Sequence, residues 1–159
     1  MNQFTVRIEV KKAGKGCKLK SITGPFPPAG LPPDAQPQGG DQVVWVVNGD
    51  QGQASILIRE FKHKTNAAAK CPFDQAGYGI MPGQGDVIGQ VVARPVKGKY
   101  RYKVRTVTPA QLGWACTGLH FSNETMADGG AVIPAPSVLM LAEGDSEMNP
   151  DIQIGGGGT

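Results

Sequence analysis

Apolar and polar residues alternate with a period of two in several short stretches of the chain. Phe4, Val6, Ile8 and Val10 alternate with Thr5, Arg7 and Glu9, the pattern of a strand with one face buried and one wet. A Lys/Gly turn follows, and a second strand is expected near residues 17–22. In residues 42–47 valines stand on both sides of Trp45, which predicts a strand covered on both faces. Residues 54–61 place Ile56 and Ile58 on one face. Two further strands are expected over 87–93 and 100–107, joined by a turn at 95–99, and Ile152 and Ile154 mark a short closing strand.

Between these stretches lie segments that cannot be strand interior. Residues 24–40 carry Pro25, Pro27, Pro28, Pro32, Pro33 and Pro37, a density that excludes helix and central strand and predicts an extended, stiff loop. Residues 65–85 read as turns, with one helical turn at 66–70; Gly77-Tyr78-Gly79 and Gly83-Gln84-Gly85 belong to those turns and lack the lysine of a phosphate loop. Residues 108–148 depart from strand spacing and form a long insertion before the last strand, in which 132–141 adds a hairpin or an edge-wrapping loop. The glycines from 155 onward form a tail with little to pack. With 23 Gly and 13 Pro in 159 residues, turns are many and helix is scarce. The expectation is a single all-β domain over residues 1–159, a sandwich or barrel.

Charge and cysteines narrow the classes further. The net charge of +3 owes much to Lys11, Lys12, Lys15, Lys18 and Lys20 around the first hairpin. No aromatic residues interleave with these lysines, which argues against a nucleic-acid partner; a solvated hairpin whose lysines shield an edge strand accounts for them. The longest apolar run, residues 138–142, is far too short to cross a bilayer. No secretory signal precedes the first strand, so the chain as written is expected in the cytoplasm, and in a periplasmic or secreted setting only if a signal has been removed. Cys17, Cys71 and Cys116 are widely spaced with no zinc pattern. They read as three reduced, mostly buried thiols, with one disulfide plus one free thiol as the alternative in an oxidising compartment.

Three passages carry a resemblance to a known family. Gly40-Asp41-Gln42-Val43-Val44-Trp45-Val46-Val47-Asn48 resembles the strand that precedes the first copper-binding histidine of plastocyanin-like proteins. Gly98-Lys99-Tyr100-Arg101-Tyr102 resembles the strand that leads to their copper-binding cysteine, and Asn149-Pro150-Asp151-Ile152-Gln153-Ile154 resembles the ending of cupredoxin-like domains that have lost the metal. The resemblance implies a Greek-key cupredoxin-like β-sandwich of about seven to eight strands. A blue-copper site needs two imidazoles, a thiolate and a weak axial donor. The resemblance places the first histidine at Ala54 or Ser55 and the cysteine at Val104, and none of these is a ligand.

One passage points the other way. Cys116, His120 and Met126 follow one another in the order of a copper-ligand loop, and His63 is the only other histidine available to complete the set. Each also has a plainer reading: Cys116 as a small buried hydrophobe, His120 as a structural or surface residue, Met126 as packing, His63 as a solvated strand end between two lysines. A Cys116–His120 pair, a thiol with a base four residues on, is a further reading as a nucleophile pair. No Gly-x-Ser-x-Gly elbow seats a catalytic serine, and Asn123-Glu124-Thr125 matches a glycosylation sequon by pattern alone.

The leading expectation is therefore a non-enzymatic, metal-free, cupredoxin-like binding or structural module without cofactor. Its partner is a protein or a second copy of itself, met through loops at 48–53 and 108–148. Trp114, Leu119, His120 and Phe121 are the expected contact residues, and residues 4–10 an edge open to strand pairing. The alternative is a type 1 copper electron-transfer protein using Cys116, His120, Met126 and His63.

Overall fold

The structure, a computed structural model, describes residues 1–107 and 146–155. Nine strands are present among them, without helix. In chain order they are β1 (Gln3–Ala13), β2 (Gly16–Phe26), β3 (Gln42–Asn48), β4 (Ser55–His63), β5 (Gly77–Ile80), β6 (Asp86–Gln90), β7 (Gly98–Val107), β8 (Glu147–Met148) and β9 (Asp151–Ile154). They form two sheets, one ordered β2-β1-β3-β6, the other β5-β4-β7 with β8 and β9 both on the far side of β7. The protein is an all-β two-sheet sandwich.

The first sheet follows from the period-two pattern. Phe4, Val6, Ile8 and Val10 are buried, while Gln3, Arg7 and Lys11 are exposed. β2 pairs antiparallel with β1, and β3 pairs parallel with it, Trp45 lying level with Val6. Parallel neighbours require the chain to return to its starting end before the second strand begins. Here β2 and the proline-rich connection make that return. The connection packs Leu31 and Ala35 onto the core. At its end the buried Asp41 carboxylate accepts the backbone N–H groups of Asn2 and Gln38, both at 3.0 Å, so the loop closes on the start of β1.

In the second sheet β4 and β7 pair antiparallel from Ser55↔Val107 to His63↔Tyr100, interrupted by a bulge between Arg59 and Lys62. Glu60 sits in that bulge at φ 63°, a left-handed conformation that costs a non-glycine residue on the order of 1 kcal/mol. Its carboxylate lies 3.2 Å from Arg59 and 3.6 Å from Lys103, which hold it in place.

Between the sheets the core centres on Trp45. Its ring lies 5.2 to 6.2 Å, centroid to centroid, from Phe61, Phe73, Tyr78 and Tyr102. Such large rings dominate the apolar burial of a small sandwich, roughly 150–250 Å² each. Gly89 on β6 makes room for them: a Cβ there would stand 2.8 Å from the Trp45 ring and 2.9 Å from that of Tyr78.

Four local expectations are revised. β1 lies between β2 and β3, so residues 4–10 are a central strand whose backbone groups are already used on both sides; the lysines at 18 and 20 belong to the true edge, β2. Residues 77–80, read as turn, form β5, because Gly77 and Gly79 are flanked by Tyr78 and Ile80, which reach the core. The helical turn expected at 66–70 is an isolated non-helical turn, closed by Ala69 N–H on the Asn66 carbonyl at 3.1 Å. β6 ends at Gln90; beyond it Val91 forms an isolated bridge to Phe73 and exchanges backbone hydrogen bonds with Gly40 and Asp41. The expected hairpin at 132–141 lies outside the described residues.

Candidate functional site

The end of the sandwich where β3 finishes, β4 starts and β7 finishes is built by residues 48–54. Gly49 has φ 116°, and a Cβ there would meet the Val10 carbonyl at 2.1 Å, so only glycine fits against β1. The Asp50 carboxylate accepts the Gly52 N–H at 2.9 Å, closing a tight Asx turn. Gln51 is buried; its amide nitrogen donates to the carbonyls of Ala54 at 2.9 Å and Ile80 at 3.0 Å, pinning the loop to β5. Gln53 N–H donates to Lys15 at 2.7 Å, which ties the loop to the β1–β2 turn as well. The loop is therefore rigid, and with Gly83 and Gly85 it lines an open groove of about 260 Å³.

The positions to which the copper-protein resemblance assigns ligands can now be placed. Ala54 and Ser55 are fully buried at the start of β4, and the Ser55 hydroxyl lies 3.5 Å from the Met81 sulfur. Ser55 is level with Val107, whereas Val104 is level with Ile58, three residues further along β7. That offset puts Val104 roughly 10 Å along the strand from the Ser55 level, inside the core. A methyl, a hydroxyl on a thioether and an isopropyl group supply no imidazole or thiolate, so these residues do not fit a copper ion. Among the described residues no group of three or more His, Cys, Asp or Glu side chains is placed to hold a metal.

His63 is at the other end of β4, roughly 25 Å from Ser55 by strand rise. Its Nε2 lies 2.8 Å from the Lys97 carbonyl, which can only accept, so the ring hydrogen is on Nε2. Nδ1 then accepts the backbone N–H groups of Thr65 at 3.1 Å and Asn66 at 3.0 Å. The ring also stands edge-on to Tyr100, 4.9 Å between centroids. Both nitrogens are engaged in closing the β4 turn and fixing the approach to β7.

Cys17 and Cys71 are both buried. Burial pushes the Cys71 thiol up to about 12, and its hydrogen is donated to the Gln75 carbonyl at 3.3 Å. Such a thiol is a packing group, not a nucleophile. Cys116, His120, Met126, Trp114, Leu119 and Phe121, together with the sequon at 123–125, lie outside the described residues.

Sequence reasoning passed over Gln51, whose buried amide does the most to order the loop. A polar residue in a Gly/Asn/Asp cluster gives no signal of burial; only the nearness of β5 creates it. No helix among the described residues is long and apolar enough to cross a membrane. No family model, curated protein or solved structure matches the chain.

Proposed function

We propose that the chain is a cupredoxin-like sandwich in which the metal positions are filled by non-ligating residues, and that it acts as a non-enzymatic binding or structural module. The observation that carries this reading is the pairing at the loop-bearing end. Ala54 and Ser55 are fully buried at the start of β4, where Ser55 pairs with Val107, and neither side chain is a metal ligand. The two strands that carry the family-like motifs also support it. Trp45 of β3 and Tyr102 of β7 meet in the core, and the strands flanking them deliver residues 48–54 and the chain beyond Val107 to one end. Loops held on a rigid sandwich are where recognition is commonly placed.

In this reading the partner is a protein, including a second copy of the chain, met by Trp114, Leu119, His120 and Phe121 and by the 48–53 loop. A copper site using His63 with Cys116, His120 and Met126 would have to displace either the Nε2 bond to Lys97 or the two N–H bonds that Nδ1 accepts before that ring became a ligand.

The chain has two tryptophans, and Trp45 is fully buried, so Trp114 can be read by difference. Acrylamide quenching of the native protein is expected to show one inaccessible and one accessible tryptophan, with the accessible component lost in Trp114→Phe. Two inaccessible tryptophans would remove Trp114 from any contact surface.

A further inference from the structure

The outer face of the first sheet carries an apolar row that crosses all of its strands. Thr5 on β1 is level with Phe26 on β2 and with Val44 on β3, and Val44 is level with Ile88 on β6. Residues opposite one another in a ladder share a face, and the chain neighbours of this row, Phe4, Val43 and Val87, are the ones that pack toward the core. The row therefore faces away from the second sheet and runs roughly 14 Å across four strands. At its two ends Phe26 and Ile88 keep 41% and 48% of their surface exposed. With Val44 and the Thr5 methyl between them, they make one continuous patch, not scattered single residues.

The rows on either side order this patch and set its polarity. Toward one end Gln3, Gln42 and Gln90 form a running chain of amides, Gln3 Nε2 donating to Gln42 Oε1 at 3.3 Å and Gln42 Nε2 to Gln90 Oε1 at 3.4 Å. Toward the other end Arg7, Val46 and Asp86 stand in register, and the Arg7 guanidinium lies over the Phe26 ring, 5.0 Å from its centroid. Side chains already held by one another lose little freedom when a surface covers them. The charged groups of these rows are Arg7 and Asp86, one of each sign, so the face offers no matching field to a polyanion or a polycation. It does match itself. Turned over about a two-fold axis along the apolar row, a second copy lays Phe26, Val44 and Ile88 on their own counterparts. Gln3 then lies over Arg7 and Gln90 over Asp86, so each charged group meets a neutral amide and no like charges oppose.

We infer that the outer face of the first sheet is a self-association surface, closing a face-to-face, two-fold dimer centred on the row Phe26, Thr5, Val44 and Ile88. The occupant is a second copy of this chain. One sheet face is at the small end of specific interfaces, so the dimer is a weak one, with a Kd expected between about 10 μM and 1 mM. Apolar contact drives it, so ammonium sulfate strengthens it. The inference does not rest on the proposed function, which places its contacts at the loop end of the sandwich and not on this face.

Sedimentation equilibrium of the full chain, with and without ammonium sulfate, tests it. A monomer–dimer equilibrium is expected, tightened by the sulfate and weakened at least about tenfold by Ile88→Lys. Ile88→Leu is expected to keep it within about twofold, and Lys99→Glu, on the other sheet, to leave it unchanged. Ile88 is exposed on an edge strand, so Ile88→Lys is expected to fold; should it lose its sheet spectrum, Thr5→Lys reads the middle of the same row. A monomer at every concentration up to about 1 mM, which leaves the face to a different partner, overturns the inference. So does a dimer indifferent to both substitutions, or one dissolved by salt and by Lys99→Glu. A dimer that survives Ile88→Lys and is lost in Trp114→Ala would place self-association at the loop end, overturning this inference while supporting the proposed function. Two inaccessible tryptophans would leave the sedimentation outcomes unchanged, so the two readings fail separately.

Discussion

Trp45 Nε1–H donates to the Tyr102 hydroxyl at 3.2 Å across the middle of the sandwich, joining β3 of one sheet to β7 of the other. Both groups are removed from water, so the bond's worth lies in what its loss would leave behind. An unsatisfied donor in such a place costs about 1–3 kcal/mol. Tyr102→Phe is therefore expected to lower stability by about 2 kcal/mol in urea unfolding while keeping the sheet spectrum. A change below about 0.5 kcal/mol would mean that the indole finds another partner.

Gly89 is set by the Trp45 and Tyr78 rings above it and not by backbone conformation. Gly89→Ala would force a methyl within 2.8 Å of the indole, and overpacking of this kind costs about 1–3 kcal/mol. Gly40→Ala is a useful contrast: nothing lies within 4 Å of its Cβ position, but its φ is +89°, so its cost comes from the backbone alone and is expected near 1 kcal/mol. Denaturation midpoints of the two variants check the order.

All three tyrosines are buried and hard to ionise. Burial pushes Tyr100 up to about 12. Tyr102 rises chiefly by burial, offset in part by its bond from Trp45. Tyr78 rises further, by burial and then by donating its hydrogen to Asp74 at 2.5 Å. An acid whose value is raised by folding stabilises the native state fully below its unfolded value, near 10 for tyrosine. That contribution is lost as pH climbs above it. Ultraviolet titration is expected to show no phenolate until the chain unfolds in alkali, and then all three together. Stepwise ionisation of folded protein near pH 10 would contradict this.

Asp151 links β9 to β4 and β7, 3.1 Å from Lys64 and 3.3 Å from Arg101. Desolvation alone would raise its value, but the hydrogen bonds and charges of the two cations outweigh it, and the net direction is down. A lowered carboxylate stabilises the fold above its unfolded value, near 3.9, and that contribution disappears as pH falls through the folded value. The group is a third exposed, so solvent screening limits the effect to about 0.2–1 kcal/mol. Asp151→Asn is expected to cost that much at pH 7 and nothing at pH 2, with the difference shrinking in high salt.

Much of the frame was legible before any coordinates. The alternation at Phe4–Val6–Ile8–Val10 and the valines around Trp45 specify which faces are buried, because a period of two leaves no freedom once one face is apolar. The order of strands in the sheets was not legible. Whether residues 4–10 form an edge or a centre depends on where β3 docks, and the proline-rich loop hides that from local pattern. β5 was missed because Gly77 and Gly79 read as turn residues until Tyr78 and Ile80 are seen to reach the core. At the candidate end, the absence of ligands at Ala54, Ser55 and Val104 was readable directly. The closing of the His63 ring by Thr65, Asn66 and Lys97 was not, since two of those bonds go to backbone N–H groups and the third to a backbone carbonyl.

Copper titration of the full chain, freshly purified and metal-stripped, tests the central claim most directly, followed by visible absorption and by metal analysis after desalting. With packing residues at the metal positions and the His63 ring already engaged, the expected result is a colourless protein that retains far less than one copper per chain. An intense blue band saturating at one equivalent, and abolished by Cys116→Ser, would contradict it.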